Sequence, residues 1–209
     1  MVKMPAADGP GKTALGRPNS SSYTDRVSGF LRFIGVVNSA IWLGAGIFFA
    51  AVVLPAVFSP DMNREVFHQA ADSPFFSFYP GGVAVVLFRR FFVLQYICGF
   101  VGLLHLCAEK LYLGRAFPRL GTSIVAGALG LSLVGGIWLQ PRMEKLRQTM
   151  YYGQNQEQKE KARHSFGMWH GISQFANLIV LTGLLIHIMR VSRPPNETIR
   201  YGTFTKFRG

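Results

Sequence analysis

Four blocks of apolar residues, at 30–58, 91–113, 121–139 and 167–189, dominate the chain, and the polar residues gather between and around them. Each block reaches the roughly 20 residues that a helix needs to cross hydrocarbon. The pattern predicts an all-α integral membrane protein, a four-helix bundle spanning residues 29–191. It also predicts a disordered N-terminal tail at 1–28 and a basic tail at 192–209. Residues 1–28 are rich in Pro, Gly and Ser and have too few apolar positions to offset the entropy of ordering. The first block is longer than the apolar core of a secretory signal, so it is expected to stay as an anchor.

The polar residues inside the blocks are not scattered. His170, Ser173, Gln174 and Asn177 fall at i, i+3, i+4 and i+7, on one helical face. In the second block Gln95, Cys98, Gly102, His105, Glu109 and Tyr112 form one stripe, and in the first Asn38, Trp42 and Ala45 share a face. Ala128, Ser132 and Gly136 make a small-residue series in the third, of the kind that lets helices approach closely. A bundle with a modestly polar interior follows. The face of His170, Ser173 and Asn177 is expected to pack on the first span, near Trp42 or Asn38.

Between the blocks, residues 83–92 form a short amphipathic run with Arg89 and Arg90, expected to lie along the outer interface with both side chains snorkelling. Pro141 is expected to close the third span. Beyond it Glu144, Lys145, Glu157 and Lys161 are expected on solvated faces of a polar hairpin.

Charge changes the picture of partners. Lys and Arg number 22 against 10 Asp and Glu, a net charge of +12, but the basic residues flank spans. Anionic headgroups of the lipid bilayer are the natural counterpart, and nucleic acid is not. With both termini on one side, 13 of the 22 basic residues lie there and 9 lie opposite. This bias predicts cytoplasmic termini, in the plasma (inner) membrane if the source is bacterial.

Candidate chemistry is sparse. Residues 6–13, "AADGPGKT", match a relaxed phosphate-loop pattern, but Pro5 and Pro18 leave no strand and helix to hold it. Cys98 and Cys107, nine positions apart on one helix, point in opposite directions and cannot bridge. His164 and His170, with His68, fit no standard zinc spacing. No nucleophile, base and orienter can be grouped and no paired carboxylates lie in the spans, so nothing points to an enzyme. The spans also lack the matched interruptions of transporters. His105 and His187 are the one intramembrane histidine pair that shares a bilayer half, and they are the candidate ligands of a haem or a transition metal. The preferred reading is a structural or partner-binding membrane subunit, docking another subunit or a second copy of itself. The alternative is a haem- or metal-binding membrane protein with a redox or metal-handling role.

Four further segments bear on family: "LPAVF" ending the first span, "LFRRFFVL" entering the second, Pro141, and "HGISQFANL" in the fourth. Over residues 30–190 the chain resembles the family of small four-span membrane proteins of unknown function that includes transmembrane protein 205. His170, Gly171, Ser173, Asn177 and Leu178 match that family's pattern of His-Gly, a following Ser, and Asn-Leu a turn later. The family is distantly similar to copper-resistance proteins of the D type and to the haem-associated protoporphyrinogen oxidases of the J type. The resemblance implies a four-helix architecture rather than a particular activity.

Overall fold

The computed structural model describes residues 20–68, 73, 76–113 and 119–192. All elements among them are helical. Helix α1 (Ser20–Phe48) passes through a π-helical turn, π1 (Phe49–Val53), into α2 (Leu54–Val57), and a short α3 (Pro60–Glu65) follows. Helix α4 is Phe78–Leu113. Helix α5 (Arg119–Leu133) runs through a second π-helical turn, π2 (Val134–Leu139), into α6 (Gln140–Tyr152), and α7 is Gln156–Ser192. Four helical stretches are long and apolar enough to cross a membrane: Val27–Val57, Phe78–Tyr112, Arg119–Tyr152 and Gln156–Ser192. The protein is an all-α integral membrane four-helix bundle in which α1 packs on α4 and α7, and α5 packs on the same two.

Three expected boundaries move. The phosphate-loop-like segment and most of the tails lie outside the described residues, but residues 20–28, expected to be disordered, begin α1. The run at 83–92 does not lie along the interface. It is the start of α4, with Arg89 and Arg90 exposed, because Pro80 stands in the first turn, where its missing N–H costs nothing. Pro141 does not close the third span, since α6 continues to Tyr152.

The two π turns explain how helices survive these prolines. A proline inside a helix lacks an N–H and crowds the carbonyl four residues back. In both places the turn just before the proline widens: Leu54 N–H bonds Phe49 O ahead of Pro55, and Gln140 N–H bonds Gly135 O ahead of Pro141. The five-residue spacing preserves the helix at the cost of a local bulge.

Lipid tails are as apolar as leucine, so helix association rests on close contact and cross-helix hydrogen bonds. Trp42, Cys98, Leu106, Val125, Ala128, Leu129, Val180 and Leu184 form the core. Small residues let α4 meet α5: a Cβ on Gly99 would stand 2.7 Å from Leu129 Cδ1, and one on Gly102 would stand 3.0 Å from Val125 Cγ1. Asn38 Nδ2 donates to Cys98 O at 2.9 Å, joining α1 to α4. Ser132 Oγ donates to Gln95 Oε1 between α5 and α4, with Ala128 O as an alternative acceptor at 2.8 Å. Arg32 donates to Val191 O at 3.0 Å and Ser192 O at 2.6 Å, satisfying the last carbonyls of α7 and tying that end to α1.

Candidate functional site

The bundle has two unlike ends. Helix α7, with 37 residues, is about 55 Å long, and the 34 residues from Arg119 to Tyr152 span about 51 Å, against roughly 30 Å of hydrocarbon. The α6–α7 hairpin therefore projects beyond the membrane. Its boundary is marked by Arg142, whose guanidinium lies 4.8 Å from the Trp169 ring and 5.3 Å from the Trp138 ring, with the two indoles edge-to-face at 5.2 Å. Tryptophans at this level anchor a helix at the headgroups, and the cation–π contact fixes them.

A cavity of about 580 Å³ opens at the level of this girdle and extends to both sides of it, from Arg147 and Tyr151 to Asn177 and Val180. Both proline-linked bulges border it, through Phe49, Ala50, Leu54 and Pro55 on one side and Gly135 and Leu139 on the other. Widening a turn displaces side chains that would otherwise meet the opposite helix, so the bulges and the space belong together. Phe49, Phe58, Phe88, Phe91, Phe92 and Phe166 give part of the wall an aromatic surface. Phe49 stacks on Phe91 at 4.3 Å and meets Phe88 edge-on at 5.0 Å.

The remaining wall is the polar face of α7. His170, Ser173, Gln174 and Asn177 all line the cavity, and the last lies about 12 Å below Trp169. Their partners are local. Ser173 Oγ donates to His170 O at 2.7 Å, and Gln174 Nε2 stands 3.4 Å from His170 Nε2. The Asn177 side chain makes no hydrogen bond among the described residues. Asn38 and Trp42 are not brought to this face: Asn38 is bonded to Cys98 O, and Trp42, 2% exposed, lies in the core. Gln95 and Ser132, bonded to each other, also border the cavity.

The other candidate pair lies toward the end where α1 begins and α7 stops. His105 and His187 are 6% and 5% exposed, and His105 is close enough for its charge to act on His187. Nδ1 of each is buried without a hydrogen-bond partner. His105 Nε2 is 3.8 Å from Glu109 Oε1, one turn along α4. His187 lies about 27 Å along α7 from Trp169, near the far boundary. A haem plate needs open space at the ligating nitrogen, yet a Cβ placed on Gly35 would come 2.5 Å from His105 Nε2. That edge of the imidazole is already against the α1 backbone, which does not fit a porphyrin there. His164 and His170 are exposed, as is His68, which has a left-handed backbone. Among the described residues no three His, Cys, Asp or Glu side chains gather closely enough to hold a metal.

A family model described as a domain of unknown function (DUF4149) matches residues 38–152. The chain belongs to this family. No curated protein and no solved structure matches it. The stretch matched by the DUF4149 model includes both proline-linked bulges and the aromatic wall, whereas the polar wall on α7 lies beyond it.

Sequence reasoning missed the aromatic wall and Arg147. The available signal was a proline at the end of each of two apolar runs, Pro55 and Pro141, which marks a helix that must bulge if it continues. Arg147, to which the sequence assigned no role, borders the cavity.

Proposed function

We propose that the protein is a membrane-embedded binding protein whose cavity takes up an amphipathic small molecule from the bilayer. One observation carries this: a space of about 580 Å³, with a cluster of phenylalanines in its wall, faces a polar stripe whose hydrogen-bonding groups find partners only on their own helix. Ligand sites are typically of roughly 300–1,000 Å³, mainly apolar, with a few convergent polar groups. A purely structural subunit would gain contact by closing around such a space, because a void forfeits dispersion contacts along its lining. With the termini cytoplasmic, the cavity straddles the outer boundary of the membrane. The resemblance to the family that includes transmembrane protein 205 supports the same frame, since its His-Gly, Ser and Asn-Leu pattern falls on the polar wall.

Native mass spectrometry of protein released from its own membranes tests the proposal. A non-covalently retained small molecule is expected on the wild type and should be absent after Ala176→Phe, which fills the cavity from α7. Equal retention by both proteins would contradict it.

A second reading, metal handling at His105 and His187, is favoured by the two buried Nδ1 atoms without partners. Imidazole nitrogen is a common ligand for transition metals. This reading requires stoichiometric metal in the purified protein, lost in either His→Ala variant.

A further inference from the structure

The cavity holds one cation and, among the described residues, no carboxylate lines it. That cation is Arg147 of α6. Its stem rests on the start of α4, where a Cβ on Gly81 would stand 3.0 Å from Arg147 Cδ. Its guanidinium lies 4.9 Å from the Phe78 ring, and Nη1 donates to Phe78 O at 3.1 Å. These contacts fix one face and one corner of the fork. Nε is buried with no hydrogen-bond partner, and Arg147 forms no ion pair among the described residues.

The uncommitted group is Nη2, which is neither buried nor hydrogen-bonded among the described residues, whereas Nε is closed off. The N–H groups of Nη2 can donate to an anion, a charge-assisted bond of the kind that guanidinium makes with carboxylate and phosphate. An arginine simply placed among headgroups snorkels with its whole fork in water. Arg147 instead has Nε closed off and Nη1 committed to Phe78 O, so its charge meets the cavity through Nη2. The surroundings add positive potential: Arg163 and Arg147 both act on the Tyr151 phenol, which also borders the cavity. Below this corner the wall is the Phe49, Phe88 and Phe91 cluster.

Resting on the cavity reading above, we infer that the ligand is an anionic amphiphile whose single carboxylate or phosphate head pairs with Nη2 of Arg147 while its apolar body lies against the phenylalanines. The same head chemistry is offered by a free fatty acid and by an anionic phospholipid of the surrounding leaflet. The body is required in both cases, so a bare inorganic anion is not the ligand.

The test uses the full chain in phosphatidylcholine nanodiscs and two probes, the dansyl derivative of undecanoic acid and its methyl ester, which differ only in the head charge. The acid should bind saturably and about tenfold tighter than the ester, the ratio expected for one charge-assisted pair. Arg147→Gln should bring the ratio to about one, Arg147→Lys, which keeps the charge but loses the contacts to Phe78, should keep only part of it, and Arg142→Gln, outside the cavity, should leave it unchanged. Displacement of the acid by phosphatidylglycerol added to the discs would assign the site to a bilayer lipid. Binding without that displacement would assign it to a free acid. Equal saturable binding of acid and ester would overturn the charge assignment and leave the cavity reading standing, whereas no saturable binding of either would overturn both. An equal fall in the ratio for Arg147→Gln and Arg142→Gln would reduce the effect to general surface charge and contradict the inference. So would displacement by inorganic phosphate alone.

Discussion

At the end where α1 begins and α7 stops, imidazoles, an asparagine and glycines fill the bundle until a methyl group on Gly35 would collide with His105. At the other end, two helices swollen by π turns stand around a cavity lined by phenylalanines and a polar face. Both halves draw on the same ingredients, polar residues on the inner faces of apolar helices, and they differ in what the backbone does. Where α4 and α5 are regular and α4 carries Gly99 and Gly102, they close, and Asn38 of α1 bonds across to Cys98 O. Where Pro55 and Pro141 force a bulge, the helices cannot close. The polar groups of α7 there are left with partners on their own helix.

The sharpest way to break this contrast is to add the same bulk to both halves. Ala128→Phe, at a position 5% exposed in the closed half, should cost 3 kcal/mol or more by overpacking, on the order of the upper range for such changes, and prevent recovery of folded protein in detergent. Ala50→Phe, on the cavity wall, should leave the melting temperature within about 3 °C of wild type and weaken ligand binding at least about tenfold. Loss of folding in both variants would mean that the cavity is not a standing feature.

Removing bulk should show the reverse asymmetry. Trp42→Ala empties the centre of the core and is expected to cost about 3–5 kcal/mol, whereas Phe91→Ala, which already borders open space, should cost less than about 2 kcal/mol. Thermal unfolding of the two purified variants compares them directly, and equal losses would remove the distinction between the halves.

A smaller effect concerns the contact of Gly35 with His105. Gly35→Ala should destabilise, and His105→Ala should relieve most of that loss, giving a coupling of about 0.5–3 kcal/mol in a double-mutant cycle. Simple additivity would show that the ring does not lie against α1.

The smallest expected difference is between two asparagines. Asn38→Leu removes a bond from Asn38 to Cys98 O and should lower stability by about 1 kcal/mol. Asn177→Leu, which removes no bond made among the described residues, should be neutral to folding while weakening binding. A lower melting temperature for Asn177→Leu would instead support packing of this face on another helix.

The frame was legible in the chain because the membrane imposes it: an apolar run long enough to cross, with every backbone group satisfied internally, leaves helix as the solution for these four blocks. The stripe on α4 was legible for a similar reason, and Gln95, Cys98, Gly102 and His105 are all buried. Tyr112 continues the same period but is exposed, because it stands in the last turn of α4 where the bundle gives out. Residues His170, Ser173 and Asn177 were legible as one face but not as a cavity wall. Periodicity reports which residues share a side, and it does not report whether the facing helix comes close enough to touch. That distance was set by Pro55 and Pro141 through backbone geometry, and of the two only Pro141 was read from the sequence, as a helix end. Arg147 was hidden for another reason. Among alternating charges on a polar helix, nothing in the order of residues distinguishes the one whose stem folds back over Gly81 and Phe78.

Saturable photolabelling addresses the cavity most directly. A long-chain alcohol carrying a diazirine, incorporated into nanodiscs with the full chain and activated by light, labels whatever its chain touches, and peptide mapping locates the sites. The account requires labelling concentrated on cavity residues such as Phe58 and Ala176, saturating with probe and suppressed by excess unlabelled alcohol. Labelling spread evenly over lipid-facing residues such as Leu104 and Ile137, rising in proportion to the probe, would show that the bulged half holds nothing but ordinary lipid contact.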